Sequence, residues 1–310
     1  MSFSYNTKTE LCSNPFEKTC CLKAELGGMI HMGGVFSISS SGLGLLYSSE
    51  NPSIIRRFFS IAKKLYGVHP EITAKENKLK KKNIYSVKIS GRQVVFHILE
   101  DVGLTISGGV HTEPEAFAHM LSDPCCRASY IRGVFLACGS ISNPQKIYHL
   151  EFVVNTEELA SSLLNILNEY SLNAKIVQRK QLFVVYLKGI DHIITLLTLI
   201  GAHSSVLQLE DIRIMKEVRN NVNRQVNCET ANLSKTVNAA YRQLENIRLI
   251  ERTVGLKSLS PLLQEVAQAR LENPEASLSE IAELLDMPDR RSAINHRFRK
   301  LDHIAQSLKS

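Results

Sequence analysis

Residues 20–34 read CCLKAELGGMIHMGG, and residues 125–139 read CCRASYIRGVFLACG. The two stretches repeat each other at a fixed offset of 105 residues, with paired cysteines at the start and a glycine at the end. Small residues recur along the middle of both copies, and small residues let two helix axes approach closely. The repeat therefore predicts two short helices that pack backbone against backbone, each leading through a glycine into a strand.

The same order of elements is predicted after each copy. Alternating patterns indicate hairpins, and apolar residues at helical spacing indicate helices. The first copy is predicted to hold a hairpin over 35–47, a helix between 51 and 67, a hairpin over 71–89 and a short helix over 93–99. The second is predicted to hold a hairpin that closes over 147–154, a helix over 156–170, a hairpin over 175–187 and a helix over 193–200. The predicted fold class is α+β, with the order αββαββα occurring twice.

Each predicted unit would be only marginally stable alone, since one face of its small antiparallel sheet would stay exposed to water. Two units joined through their first helices bury that face and form a saddle of strands of suitable size for a nucleic-acid duplex. The second hairpin of the first copy has a lysine-rich tip, an insertion of about seven residues. We predict that Lys80, Lys81 and Lys82 of this tip are auxiliary DNA contacts. A solvated tip that blunts the sheet edge with lysines is the alternative.

The composition is that of an ordinary globular protein with a basic excess. Hydrophobic residues make up 44% of the chain, charged residues make up 22%, and the formal net charge is +7. This positive charge favours a polyanionic partner. The longest apolar stretch, 190–206, is interrupted by charged, histidine and hydroxyl side chains and is too short to span a bilayer. We therefore expect a cytoplasmic, nucleoid-associated protein with no membrane partner.

The seven cysteines give no metal signature along the chain. No CxxC pair occurs, and the adjacent pairs Cys20-Cys21 and Cys125-Cys126 lack a His or Cys partner at zinc spacing. We expect all seven to be reduced thiols, with those in the repeat acting as small buried residues on tightly packed helices. The sequence thus predicts neither a metal nor a cofactor.

Residues 206–255 are polar and helical in pattern and are predicted to form a linker. Six asparagines lie between Lys216 and Tyr241, and asparagine is a poor helix former whose side chain seeks hydrogen-bond partners. Their density indicates a polar surface that contacts a partner. A solvated linker helix with interrupted turns is the alternative. The residues of this segment that are predicted to make auxiliary DNA contacts are Asn220, Asn223, Arg224 and Asn227.

Residues 256–310 have the layout of a helix-turn-helix domain. A first helix is predicted from Pro261 to the Asn273-Pro274 stop, after a hinge with the sequence GLKSLSP. Residues 277–280 read SLSE, a capping box that opens a second, short helix, and Ala282 fits the small position where two helices cross. A third helix is predicted from about 289 to 308. The turn before it is about two residues longer than the minimal form and lacks the usual glycine.

The start of the third helix carries side chains that can read bases. Arg and Asn make bidentate contacts to guanine and adenine edges in the major groove, while cations and helix N-termini hold phosphates. A plain three-helix bundle with a basic face is the alternative. The candidate DNA-binding residues are Ser277, Arg290, Arg291, Ser292, Asn295, His296, Arg297, Arg299 and Lys300.

The duplicated motif resembles that of the LAGLIDADG homing endonucleases, with residues 28–34 and 133–139 in the place of GLIDADG. Those enzymes carry a catalytic carboxylate just before the final glycine of each helix. Together with the Asn-rich run 219–232 and the terminal run 292–297, nearly the whole chain resembles the WhiA family. Members are regulators of Gram-positive bacteria with a degenerate endonuclease-like domain and a helix-turn-helix similar to sigma-factor region four.

The resemblance implies a DNA-binding protein of cell division, chromosome segregation or, in spore formers, sporulation. The first hypothesis is accordingly a non-enzymatic transcriptional regulator that binds double-stranded DNA and has a regulatory or division-protein partner. A metal-dependent nuclease is disfavoured, because Gly33 and Cys138 stand where carboxylates would hold Mg²⁺. A protein-interaction scaffold with secondary DNA binding is the third hypothesis.

Four domains are expected on these grounds. They are the first repeat at 1–105, the second repeat at 106–205, the polar linker at 206–255 and the helix-turn-helix domain at 256–310.

Overall fold

The computed structural model describes residues 2–16, 18–39, 42–77, 82–106, 109–287 and 291–309. The chain forms two compact units, Met1–Met215 and Lys216–Ser310. The first copy and the helix before it contain, in chain order, α1 (Phe3–Cys12), α2 (Thr19–Gly33), β1 (Gly34–Ser39), β2 (Gly42–Ser49), α3 (Pro52–Tyr66), β3 (Glu71–Asn77), β4 (Lys82–Ser90) and α4 (Arg92–Asp101).

The second copy repeats this order after a short connection. The connection holds β5 (Leu104–Ile106), β6 (Val110–Thr112) and α5 (Pro114–Met120). The copy itself consists of α6 (Pro124–Cys138), β7 (Gly139–Ile141), β8 (His149–Val154), α7 (Glu157–Glu169), β9 (Lys175–Arg179), β10 (Leu182–Lys188) and α8 (Ile190–Ile200). The predicted α+β class and the duplicated order αββαββα are confirmed.

Each copy builds one four-stranded antiparallel sheet. The strand orders are β1-β2-β4-β3 and β7-β8-β10-β9, so the two sheets have the same topology. One face of each sheet packs on helices, because alternate residues such as Leu150, Phe152 and Val154 of β8 are buried. The buried side chains of both copies join in one continuous core.

The two motif helices meet backbone to backbone, as the repeat predicts. A Cβ atom added at Gly28 of α2 would lie 2.3 Å from the carbonyl oxygen of Tyr130 in α6. A Cβ atom added at Gly133 of α6 would lie 2.0 Å from the carbonyl oxygen of Glu25 in α2. Neither position has room for a side chain, which explains why both carry glycine.

The helix α1 was not predicted from the sequence. Its buried residues are Thr7 and Leu11, one helical turn apart, and most of the remaining residues of this short segment are polar. Two side chains fix it to the start of the helix after α8. The Ser205 hydroxyl donates to Thr7 Oγ1 at 2.9 Å, and the Glu10 carboxylate accepts from the backbone N–H of Ser205 at 3.0 Å.

The remaining elements are helical. They are α9 (His203–Thr253), a 3-10 turn (Leu256–Ser258), α10 (Pro261–Glu272), α11 (Leu278–Leu284) and α12 (Arg291–Ser307). The predicted linker is thus part of a continuous helix of 51 residues, without the interrupted turns of the alternative. None of the helices in the described part of the chain combines the length and the hydropathy that crossing a membrane requires.

The second unit has a core of its own. Side chains from all four of its helices meet in one buried cluster, which includes Ile247, Ile250, Val266, Ile281, Ile294, Phe298 and Leu301. The end of α9 therefore packs with the residues that follow it. Leu262 is exposed, because the buried face of α10 is centred on Val266 and Ala269. The four-part domain division stays a prediction.

Candidate nucleic-acid interface

The helix α12 has one buried face and one exposed face. Ile294, Phe298 and Leu301 point into the core of the second unit. Ser292, His296 and Arg299 are exposed, and their spacing of four and three residues places them together on the opposite side of the helix. This is the arrangement that a groove-reading helix requires.

The other candidate residues of α12 lie around this exposed face. Arg291 and Lys300 are exposed, whereas Asn295 and Arg297 are half-buried along the sides of the helix. Arg290 lies outside the described residues. His296 and Arg299 are therefore more exposed than Asn295 and Arg297, and the DNA contacts of all four stay predictions.

The helix α11 ends without a glycine. Asp286 takes the left-handed conformation with a φ of 52°, which Asp tolerates better than most residues. The N–H of Asp286 donates to the carbonyl of Glu283 at 3.0 Å, and the N–H of Met287 donates to that of Ala282 at 2.8 Å. These two bonds make a Schellman motif, which ends α11 and satisfies its last carbonyls.

The capping box at the start of α11 is confirmed. The Ser277 hydroxyl accepts from the N–H of Glu280 at 3.3 Å, and the Glu280 carboxylate accepts from the N–H of Ser277 at 2.6 Å. These bonds hold the pKa of Glu280 below its usual value. Ser277 is thus the helix cap, and a phosphate contact from it stays a prediction.

Sequence reasoning missed Arg270, the largest fully buried side chain of the chain's described part. Its guanidinium donates to the carbonyls of Asn273, Pro274 and Ala276, in the loop before α11. It also lies 5.2 Å from the centre of the Phe298 ring, a cation–π contact with α12. Burial lowers the pKa of Arg270. Arg270 therefore links the loop before α11 to α12, and no pattern in the sequence separates it from a surface arginine.

The four auxiliary candidates of α9 share one face of that helix. Asn220, Asn223, Arg224 and Asn227 are all exposed, at spacings of three and four residues. The opposite side of the same segment carries Val218, Val222 and Val226, which are also exposed. The predicted polar surface therefore exists, and an apolar stripe lies behind it.

The outward faces of the two sheets carry exposed cations in the described part of the chain. Lys75 and Lys88 stand on β3 and β4, Lys175 and Lys188 stand on β9 and β10, and Arg179 on β9 pairs with the Glu151 carboxylate at 3.3 Å. Lys80 and Lys81 lie outside the described residues, as does the side chain of Lys82. Both sheets thus present positive charge, and a DNA contact from the lysine-rich tip stays a prediction.

The acid position of the first motif is closed by a neighbouring ring. Gly33 is the last residue of α2, and a Cβ atom added there would lie 2.8 Å from Cε2 of Tyr47. Tyr47 is buried and stacks on Phe58 with 4.7 Å between ring centres. An acidic side chain at this position would have to displace a packed tyrosine.

The acid position of the second motif lies beside a cation. Cys138 ends α6, and burial raises the pKa of its thiol to about 12. The Lys8 ammonium, on α1, donates to the carbonyl of Leu136 at 3.0 Å and interacts electrostatically with Cys138. Burial lowers the pKa of Lys8 to about 8. The site thus holds a lysine where the resemblance would place a metal.

The acidic side chain on the motif helices that could replace the missing carboxylates is already bonded to two arginines. Glu25 of α2 is fully buried and accepts from Arg57 Nε at 2.8 Å, from Arg57 Nη2 at 2.9 Å and from Arg132 Nε at 3.0 Å. The three side chains come from α2, α3 and α6, so the cluster ties the two repeats together. Sequence reasoning missed this cluster, because the two arginines lie 32 and 107 positions away from Glu25.

His31, inside the first motif, is held as a neutral imidazole. Its Nε2 is 2.8 Å from the carbonyl of Val102, to which it must donate, and its Nδ1 is 3.1 Å from the Tyr130 hydroxyl. Burial lowers the pKa of His31 from 6.5 to about 4. Between these values the unfolded chain binds the proton and the folded chain does not.

We expect His31 to make the protein less stable in acid. The free energy of unfolding has its full value above pH 6.5, where His31 is neutral in both the folded and the unfolded chain. It falls by roughly 2–3 kcal/mol as the pH drops towards 4, because only the unfolded chain takes up the proton there. Urea unfolding at pH 7 and pH 4.5, followed by circular dichroism, checks this against His31→Gln and the exposed-site control His119→Gln. The wild type and the control should lose stability in parallel, and the His31→Gln variant should lose less. An equal loss in all three would contradict the assignment.

The cysteines of the repeat meet across the helix pair, which the spacing argument missed. The Sγ atoms of Cys20, Cys21, Cys125 and Cys126 all lie within 4.8 Å of one another. Each adjacent pair therefore has its partners on the other helix and not along its own chain segment. Among the described residues, this is the group whose donor set can hold a metal ion.

Three family models match the chain. They are the WhiA N-terminal LAGLIDADG-like domain at residues 19–105, the WhiA LAGLIDADG-like domain at 127–219 and the WhiA C-terminal HTH domain at 222–305. The probable cell division protein WhiA of Alkaliphilus metalliredigens is 45% identical to the chain over 309 residues, with 98% of each covered. That of Clostridium beijerinckii is 46% identical and covers 100% of this chain and 99% of its own.

A solved structure agrees in fold with the whole chain. The crystal structure of full-length DUF199/WhiA from Thermatoga maritima has a TM-score of 0.62 at 27% identity, with 99% of both chains covered. The resemblance drawn from the motifs is confirmed. With two LAGLIDADG-like repeats that have lost their motif acids and a C-terminal helix-turn-helix DNA-binding domain, the chain belongs to the WhiA family of cell division proteins.

Proposed function

We propose that this chain is a non-enzymatic transcriptional regulator that binds specific double-stranded DNA sites. It would act at the nucleoid in cell division and chromosome segregation, and in sporulation where the organism forms spores. The observation that carries the proposal is the exposed face of α12, formed by Ser292, His296 and Arg299 and backed by a fixed core. A major groove admits such a helix, and Arg reads guanine bidentately.

The proposal divides the candidate residues by role. His296 and Arg299 read bases, while Arg291 and Lys300, exposed beside them, contact phosphates. Ser277 lies at the start of α11, where the first N–H groups of a helix favour a phosphate. The polar face of α9, with Asn220 and Arg224, supplies auxiliary contacts, and the affinity of two tethered surfaces exceeds that of either alone.

The state of the motif helices supports the absence of nuclease activity. Phosphodiester cleavage by divalent ions needs carboxylates that hold the metal against the scissile phosphate. Gly33 and Cys138 offer none, Glu25 is bonded to two arginines, and Tyr47 and Lys8 fill the neighbouring space. The repeats thus serve as a folded support and a secondary surface.

We expect Arg299→Ala to weaken binding to the preferred operator by roughly 1–3 kcal/mol, about five- to 150-fold, with little effect on unrelated DNA. Lys300→Ala should weaken all sequences alike and make binding less dependent on salt. Operators found by mapping bound DNA genome-wide supply the probes for fluorescence anisotropy titrations in a series of salt concentrations.

The control is Gln306→Ala, an exposed change near the other end of the same helix. It should leave both affinities unchanged. Equal binding by Arg299→Ala, His296→Ala and the wild type would remove α12 from the interface. The same titrations with Mg²⁺ present test the non-enzymatic proposal, which DNA fragments as products would overturn.

The apolar stripe of α9 favours a scaffold as the second candidate function. Val218, Val222 and Val226 are each about half exposed, and a helix in water rarely keeps such a row without a partner. A double variant, His296→Ala with Arg299→Ala, separates the two functions in cells. Loss of normal division in this variant supports DNA binding as the main function, whereas normal division makes the scaffold the main function.

A further inference from the structure

The four-cysteine cluster is not explained by packing. Cys21 and Cys126 are buried and fit the interpretation as small core residues. Cys20 and Cys125 are exposed, so burial of apolar surface does not account for their thiols. Nevertheless all four sulfurs lie within 4.8 Å of one another, two from α2 and two from α6.

We propose that Cys20, Cys21, Cys125 and Cys126 bind a single Zn²⁺ ion that joins the two repeats. Four thiolates around one ion form a closed structural site of the Cys₄ type. Such a site lies at the N-terminal ends of α2 and α6, opposite the motif acid positions. The 13 residues from Cys20 to Gly33 separate the two ends by about 20 Å along the helix. The proposal is independent of DNA binding.

The sulfur geometry suits one tetrahedral ion. Zn–S bonds of about 2.3 Å place tetrahedral sulfurs about 3.8 Å apart, so no sulfur pair here has to close by more than about 1 Å. Rotation about the side-chain torsions supplies such a shift without moving the backbone. An iron–sulfur cluster has several metal and sulfide atoms between its thiolates, and it would have to spread these four apart.

The position of the thiols on their helices favours their charged form when a cation is present. Cys20 and Cys21 are the second and third residues of α2, and Cys125 and Cys126 hold the same places in α6. The positive ends of both helix dipoles therefore meet at the cluster, and thiolates are stabilised at helix N-termini. Neither N-cap side chain, Lys18 nor Asp123, bonds to the first turn of its helix.

The cluster is also accessible to an ion from solution. A surface cavity of about 470 Å³ is lined by both Cys20 and Cys126. Thr19 and Lys23 are on its wall as well. An entry path, a full donor set and near-tetrahedral distances are the features by which a metal site is judged.

The test begins with the full-length protein as purified without chelators. We expect one zinc per chain by elemental analysis, and little iron or acid-labile sulfide. After removal of zinc, titration with Co²⁺ under anaerobic conditions should give the intense thiolate-to-cobalt absorption of a tetrahedral four-sulfur site, saturating at one equivalent. Zn²⁺ should displace the cobalt and raise the temperature of unfolding, because it binds the folded chain preferentially.

Two variants make the assignment specific. Cys20→Ser with Cys125→Ser changes the exposed pair, so the fold should survive, and circular dichroism verifies this. We expect its Co²⁺ affinity to fall by at least about a hundredfold. The matched control is Cys228→Ser, which changes an exposed cysteine of α9 outside the cluster and should bind as the wild type does.

Three results would overturn the proposal. The first is that the purified protein contains cross-helix disulfides and takes up no Co²⁺ after reduction. The second is that the purified protein contains iron with sulfide in place of zinc. The third is that the double variant still binds cobalt as the wild type does. None of them bears on the DNA titrations, so this proposal and the proposed function stand or fall separately.

Discussion

Glu25→Gln is expected to lower the free energy of unfolding by about 3–5 kcal/mol. Glutamine keeps the size of the side chain, but it removes the charge that balances Arg57 and Arg132. Both arginine residues are about 4% exposed, so neither side chain can turn to water when the carboxylate is gone. An uncompensated buried charge is costly because water can no longer solvate it.

The matched control is a surface ion pair of the same unit. Asp191 pairs with Arg213 at 3.0 Å, and 78% of the Asp191 side chain is exposed. Asp191→Asn should change stability by less than about 1 kcal/mol, because water screens such pairs. Denaturant unfolding of the full-length chain, followed by circular dichroism at pH 7, compares the two. Similar small losses in both variants would mean that the Glu25 cluster is open to solvent.

Gly28→Ala is expected to cost at least about 3 kcal/mol and to lower the yield of folded protein. The added methyl group would lie 2.3 Å from the Tyr130 carbonyl oxygen and 2.8 Å from the backbone nitrogen of Val134. Both atoms belong to the backbone of α6, so no rotamer change relieves the contact. The two motif helices would have to move apart, which disturbs the core that both repeats share.

The neighbouring glycine provides the control. A methyl group at Gly27 would meet the flexible end of Met120 at 3.0 Å, and alanine is the better helix former. Gly27→Ala should therefore change stability by less than about 1 kcal/mol. Thermal unfolding of the two variants, made in the same helix one position apart, measures the difference. Equal unfolding temperatures would show that the close approach of α2 and α6 is wrong.

The duplicated order of elements follows from local patterns. Asn51 and Thr156 cap helices at the predicted starting positions, and Gly67, at the predicted end of the first of them, is left-handed with a φ of 65°. The 105-residue repeat also indicates which two helices pair. Both copies carry small residues at matching positions, and such residues allow the two helix axes to approach closely. Periodicity, caps and stops are local signals, and they survive in a single sequence.

The features that were missed depend on contacts distant in sequence. Nothing near Cys20 indicates that Cys125 and Cys126 lie beside it, since zinc spacing is recognisable in a sequence only when the ligands come from one segment. The same holds for Arg270, whose burial depends on Phe298, and for Tyr47, whose ring closes the space at Gly33. The exposed and buried faces of α12 were partly predictable from the apolar spacing. That Arg299 is more exposed than Arg297 follows only from the way the helix packs on the core.

The closure of the motif end has a consequence for any attempt to build a nuclease on this frame. An aspartate at position 33 would meet the ring of Tyr47, and an aspartate at position 138 would lie beside Lys8 and form an ion pair with it. No single substitution of this kind supplies a metal site, because packing opposes it at one position and charge opposes it at the other. Both acids would have to be introduced together with a smaller residue in place of Tyr47 and a neutral one in place of Lys8.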